Sequence, residues 1–267
     1  MSAGIRRTII EQSKRAEIGH IGSCLSVADV LAALYGSVLQ IRSLDDPGRD
    51  RFIMSKGHAA LALYAALHEA GWLGREALDS YCADGSAVSG HPEHALPGIE
   101  LSTGSLGHGL SVGAGTALGG RLHGRDSRVF VLMSDAECNE GSVWEAVMFA
   151  RHHALGKLVA IVDVNGQQAL GSTRDVLDLD PLGDRWRAFG WDVHETDGHD
   201  PDAITDTIAG LDTAATGTPH VVLLRTTFGR GVSYMEGQLQ WHYWPMSDDQ
   251  YATALAELSS KEAGGAP

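Results

Sequence analysis

Residues 128–165 constrain the fold more than any other stretch. RVFVLMSD (128–135) is a short, β-branched apolar run ending in aspartate, and KLVAIVDVN (157–165) is a second one ending in asparagine. Between them GSVWEAVMFARHHALG (141–156) repeats apolar residues at helical spacing. Two strands with no polar face, joined by an amphipathic helix, require a sheet covered on both sides, which is the parallel arrangement. The spacing predicts further strands at 191–196 and 219–227 with a helix near 201–212 between them. Helices are expected at 4–18, 25–40, 59–73 and 247–259. This alternation predicts an α/β fold, a doubly wound, mostly parallel sheet with helices on both faces. No repeat or linker divides the chain, so one domain is expected over 1–260, with 261–267 as a disordered tail.

Composition narrows the function classes. The 267 residues carry 20 Lys+Arg against 34 Asp+Glu, a formal charge of −14. Like-charge repulsion argues against nucleic acid or an anionic membrane surface as the main partner. The N-terminus lacks the apolar run of a signal peptide or spanning helix. Cys24, Cys82 and Cys138 fall in no CxxC spacing, so neither a disulfide framework nor a cysteine zinc site is indicated, and a reducing, cytoplasmic setting is expected. Glycine is enriched, at 33 residues, and clusters at particular turns. The stretch 83–109 is aperiodic and longer than an ordinary connection, which suggests an ordered functional loop.

Ligands of open parallel sheets sit beyond the carboxyl ends of the strands. Asp135 and Asn165 end consecutive predicted strands, so their oxygens should lie side by side. A carboxylate, an amide oxygen and a neighbouring backbone carbonyl are hard ligands suited to Mg²⁺ or Ca²⁺, and Mg²⁺ bound in this way leaves positions for phosphate oxygens. The competing reading is structural: Asp135 caps the following helix, and Asn165 forms a turn with Gly166. His20, His58 and His91 lie in glycine-flanked settings (GHIGS, SKGHA, SGHPE), where the backbone can bring an imidazole close to a ligand. His242 lies in QWHYW. The His91/His94 pair is broken by proline and cannot present both rings from one helical face to zinc.

Seven segments carry a family resemblance, in order: GHIGSCLS, RDRFIMSKGHAALALY, SGHPE, STGSLGHGLSVGAG, SDAECNEGSVWEA, VDVNGQQALG and MEGQLQWHYWPM. Over about residues 5–258 the chain resembles the N-terminal, thiamine-diphosphate-binding portion of transketolases. The resemblance implies that Asp135, Asn165 and the Gln167 carbonyl hold the divalent ion (Mg²⁺ or Ca²⁺) that binds the diphosphate of thiamine diphosphate. It implies that His58 contacts the diphosphate and that Gly104, Ser105 and Leu106 meet the aminopyrimidine. His20, His91 and His242 would face the thiazolium and sugar hydroxyls as proton-transfer groups. Glu140 resembles a carboxylate at a dimer interface, and Ala136 belongs to the cofactor-binding turn. The implied reaction transfers a two-carbon ketol unit from a ketose or ketose phosphate to an aldose.

In transketolases the glutamate that activates the cofactor lies in a second domain, beyond the portion matched. The resemblance therefore implies a split enzyme in which a separate C-terminal subunit supplies that glutamate, as a heterotetramer with two copies of each chain. The sequence departs from the family where Ser134-Asp135-Ala136 replaces Gly-Asp-Gly, and a positive φ there would cost roughly 1 kcal/mol or more. Ile21, His108 and Tyr243 also differ, which points to an unusual sugar substrate. Two other readings stay open: a thiamine-diphosphate enzyme of the 2-oxo acid decarboxylase type, and a degenerate, non-catalytic scaffold homologue.

Overall fold

The computed structural model describes residues 1–213 and 217–264. Its strands are β1 (Arg51–Met54), β2 (Val129–Ser134), β3 (Leu158–Val164), β4 (Gln167–Gln168), β5 (Gly171–Ser172), β6 (Asp192–Asp197) and β7 (His220–Arg225). Five of them form one parallel sheet in the order β1-β2-β3-β7-β6, and β4 and β5 make a separate antiparallel hairpin. The chain fills the sheet outward from β1 to β3, skips to the edge at β6 and returns to β7.

Successive strand residues feed opposite faces, as the period of two requires. Phe130, Leu132, Val159, Ile161, Val222 and Leu224 pack on one side. There they meet helices α1 (Ser2–Ala16), α2 (Ile21–Ser26), α3 (Ala28–Ala33) and α4 (Ala60–Glu69). Val129, Val131, Met133, Leu158, Ala160 and Val162 pack on the other. Beyond the short α5 (Arg75–Asp79), that second face is covered by α6 (His108–Leu122) and α7 (Gly141–His152). Past the short α8 (Thr173–Leu177), α9 (Leu182–Ala188) adds Trp186 to the same face. The last two helices, α10 (Pro201–Ala209) and α11 (Asp248–Gly264), pack on the first face.

The doubly wound parallel sheet agrees with the sequence expectation, and four local expectations are corrected. The helix expected over 25–40 is broken at Val27 (φ −104°, ψ 5°) and ends in a π turn over Leu34–Val38. At the break the Val27 amide turns to the Cys24 carbonyl, and the Ser26 hydroxyl reaches both the Ser23 carbonyl at 3.0 Å and Asp163 at 2.7 Å. The expected loop stops at Gly107, where α6 begins. Low hydrophobic periodicity conceals that helix, because its small residues serve close packing: a Cβ on Gly113 would lie 2.5 Å from Val131 Cγ2. No strain arises at Ser134-Asp135-Ala136, since Asp135 is right-handed (φ −58°, ψ −39°) and neither neighbour has positive φ. Finally, α11 runs to Gly264, four residues into the expected tail, and residues 265–267 lie outside the described residues.

Candidate active site

Asp135 and Asn165 follow β2 and β3, which are neighbours in the sheet. Asp135 Oδ2 accepts from the Gly166 amide and Oδ1 from the Ala136 amide, both at 2.8 Å. Asn165 Oδ1 accepts from the Gln167 amide at 2.9 Å. The capping and turn contacts of the structural reading are therefore present, and both residues line one hollow. Burial, and next the neighbouring Asp163 carboxylate, push the Asp135 carboxyl up to about 7. A buried carboxylate in that setting is stabilised by a cation, and the donors are hard oxygens, so the residues fit a divalent ion such as Mg²⁺.

Two buried carboxylates that nothing in the sequence singles out organise this corner. Asp163 is fully buried and accepts from Lys56 Nζ, Thr226 Oγ1, Ser26 Oγ at 2.7 Å and Asn165 Nδ2 at 2.8 Å. The last contact orients the amide, since Asn165 gives its NH₂ to Asp163 and turns its oxygen to the Gln167 amide. Glu137, also fully buried, accepts from Ser55 Oγ, from the Gly107 amide at 2.9 Å and from the Ser134 amide at 2.9 Å. It fastens the strand tips of β1 and β2 to the turn that opens α6. Gly107 is at φ 80°, and a Cβ there would lie 2.7 Å from Glu140 Cβ, so only glycine fits. Nothing in the sequence sets Glu137 or Lys56 apart from other charged residues; only burial distinguishes them.

Four imidazoles converge beside this corner. The ring of His20 lies 5.0 Å from that of His242, 5.5 Å from His58 and 6.4 Å from His91, and His58 lies 5.4 Å from His242. They line a cavity of about 380 Å³ together with Lys56, Gly104, Leu106, Ala136, Glu140, Asn165 and Gln167. Of the residues singled out from the sequence, Ser105 does not line it, and Asp135 opens into an adjoining hollow that shares Asn139 and Asn165. His20 is left-handed at φ 61°, held by its amide's hydrogen bond to the His242 carbonyl at 3.1 Å. Such a conformation in a residue other than glycine is costly and concentrates at functional sites. Burial is the main cause that lowers the titration of three of these rings. It depresses His20, places His242 at about 4 and, with the Lys56 charge next, holds His58 well below the usual imidazole range. Those three imidazoles are therefore neutral at physiological pH.

Residues 1–262 match the family described as transketolase, thiamine diphosphate binding domain. The chain belongs to the transketolase family. It is 43% identical over 259 residues to an apulose-4-phosphate transketolase subunit from Phocaeicola vulgatus, covering 96% of this chain and 92% of that relative. It is 38% identical over 262 residues to the 6-deoxy-6-sulfo-D-fructose transketolase subunit SqwG of a Clostridium species, covering 97% and 95%. Transketolase from Pichia stipitis, in a crystal structure with sedoheptulose-7-phosphate, superposes with a TM-score of 0.90 at 30% identity. That alignment covers 97% of this chain and 40% of the yeast enzyme, so the chain spans about two-fifths of the solved transketolase. Within the transketolase family its extent is that of the relatives named as subunits.

Proposed function

We propose that this chain is the diphosphate-binding subunit of a two-chain transketolase, moving a two-carbon ketol unit from a ketose or ketose phosphate to an aldose. The observation that carries the reading is the convergence of His20, His58, His91 and His242 on one cavity, next to the hollow that Asp135 and Asn165 line together. Asp135, Asn165 and the Gln167 carbonyl hold Mg²⁺ or Ca²⁺, and the ion with His58 binds the diphosphate. Gly104, Ser105 and Leu106 receive the aminopyrimidine, with Ala136 against the cofactor. When bound, thiamine diphosphate supplies the electron sink for breaking and forming the carbon–carbon bond. His20, His91 and His242 accept and return protons at the sugar hydroxyls through their ring nitrogens.

A second chain completes the site in this reading. Among the described residues lining the cavity, Lys56 is the one lysine or arginine, and it is committed to Asp163. An anionic sugar group must then be met by the partner, which also supplies the activating glutamate. Glu140 is exposed at the cavity rim. The outward residues Val112, Met148 and Phe149 of α6 and α7 are 40–50% exposed, which supports pairing along this face in a heterotetramer. Three free cysteines support a reducing cytoplasm.

The test combines this chain with its C-terminal partner, Mg²⁺ and thiamine diphosphate. Ketol transfer is assayed from a panel of ketoses that includes apulose-4-phosphate and 6-deoxy-6-sulfo-D-fructose, the substrates in the relatives' names. Transfer by the mixture and by neither chain alone is expected. Decarboxylation of 2-oxo acids without ketol transfer, or no cofactor binding by the mixture, would overturn the reading.

A further inference from the structure

The end of the sheet remote from the imidazole cavity carries a second cluster of ligating side chains. Asp192 and His220 open β6 and β7 and are direct partners in the parallel register. His194, two residues into β6, projects from the same face as Asp192. Among the described residues these three are the group of histidine, cysteine and acidic side chains whose ligand atoms all lie within 4.8 Å of one another. His194 Nε2 is 3.3 Å and His220 Nδ1 3.5 Å from the same oxygen, Asp192 Oδ2.

The arrangement leaves polar atoms unmet. His220 is 1% exposed, and its Nδ1 and His194 Nε2 are both buried without a hydrogen-bond partner among the described residues. The other nitrogen of His220, Nε2, lies 3.2 Å from the Asp212 carbonyl. A carbonyl only accepts, so that contact puts the ring proton on Nε2 and leaves Nδ1 a bare lone pair aimed at a carboxylate oxygen. A buried nitrogen lone pair facing a carboxylate oxygen, with a second buried ring nitrogen on that same oxygen, is an arrangement that a bound cation would satisfy.

The spacing matches a metal. Ligand atoms around a tetrahedral ion with bonds of 2.0–2.1 Å are separated by about 3.3–3.4 Å, close to the two separations from Asp192 Oδ2. Two imidazole nitrogens with one carboxylate suit Zn²⁺ and its first-row neighbours better than Mg²⁺. The Asp212 carbonyl behind His220 is the outer contact that commonly orients a ligating ring. Asp192 is half-exposed, which gives the ion an entry path and leaves a fourth position for water.

We propose that Asp192, His194 and His220 bind a divalent first-row transition metal, with Zn²⁺ the best match, which staples the edge strand β6 to β7 at the sheet end opposite the cavity. The site is independent of the transketolase reading.

The test uses the full chain stripped with a chelator and titrated with Zn²⁺ against a chromophoric chelator, with Co²⁺ as a spectroscopic probe. One equivalent of Zn²⁺ per chain, intense visible bands for tetrahedral Co²⁺ and a higher Tm are expected. Truncating buried His220 endangers folding, so the partly exposed His194→Ala and Asp192→Asn carry the argument, with circular dichroism as the fold check. His194→Ala should weaken Zn²⁺ binding about 100-fold and abolish the Co²⁺ bands, whereas His20→Ala, in the cavity, should retain both. No binding to the wild-type chain, unchanged binding in His194→Ala, or loss in His20→Ala instead would overturn the assignment.

Discussion

The Gly166 amide donates to Asp135 Oδ2 at 2.8 Å, tying the tip of β3 to the tip of β2. With the Asp135 amide donating to the Asp163 carbonyl at 3.1 Å, it fixes the carboxylate against the turn that carries Asn165. Asp135→Asn keeps the shape of the side chain and removes its charge. We expect Mg²⁺-dependent binding of thiamine diphosphate to fall by at least about 100-fold with the fold intact. Calorimetry of the two-chain mixture, with and without Mg²⁺, reads the difference. Equal affinities for variant and wild type would contradict the metal assignment.

His242 is held at about 4 by burial, with the nearby His20 and Lys56 charges adding to it. Its folded value lies below the unfolded value of about 6.5, so the ring stays neutral as pH falls until about 4 is approached. NMR titration of the free chain should show the His242 resonances unmoved from pH 8 to pH 5. The same group makes stability fall with decreasing pH between those two values, because the unfolded chain takes up the proton first. For His242→Ala we expect cofactor binding retained and ketol transfer lowered by about 10²–10⁴-fold. Normal turnover in that variant would remove it from the proton-transfer set.

Lys56 and Asp163 are fully buried and paired. Lys56→Met strands a buried carboxylate and should cost about 3–5 kcal/mol. Asp163→Asn strands the ammonium and also disturbs Asn165. The double variant should recover part of the loss, since the uncompensated charge is gone. Urea denaturation of the four proteins measures the cycle, and simple additivity would mean that the pair is not coupled.

Asp29 lies between Arg6 Nη1 at 2.8 Å and His199 Nδ1 at 3.0 Å. Burial alone would raise its carboxyl, but the Arg6 and His199 hydrogen bonds outweigh it and hold it at about 2. The folded value is below the unfolded one, so its stabilisation is complete above about pH 4 and is lost as pH falls toward 2. Asp29→Asn should lose about 2 kcal/mol near neutrality and show a flatter stability profile between pH 4 and 2. An unchanged acid slope in urea melts would count against the cluster.

The parts of this molecule legible in the sequence are those where one residue type has one use. The apolar runs ending at Asp135 and Asn165 have no polar face to turn to solvent, so they read as buried parallel strands. Glycine-flanked His20, His58 and His91 stand out because such settings are uncommon for imidazoles. Helix α6 is hidden because glycines that permit close packing on Val131 look like loop residues. Lys56, Glu137 and Asp163 are hidden for a different reason: charged side chains read as solvated until burial is known. The kink at Val27 is illegible because the residues around it read as one apolar helix, and the buried contact beside it, Ser26 to Asp163, joins residues 137 positions apart.

His20 keeps its left-handed backbone through the carbonyl of His242, a residue more than two hundred positions further along the polypeptide. Three of the four rings come from the first hundred residues and the fourth from beyond β7, so the cluster is complete only with the segment carrying Trp241 and His242 in place. A nascent chain ending shortly after β7 would hold every strand of the sheet and three of the four imidazoles, and would lack the carbonyl that His20 leans on.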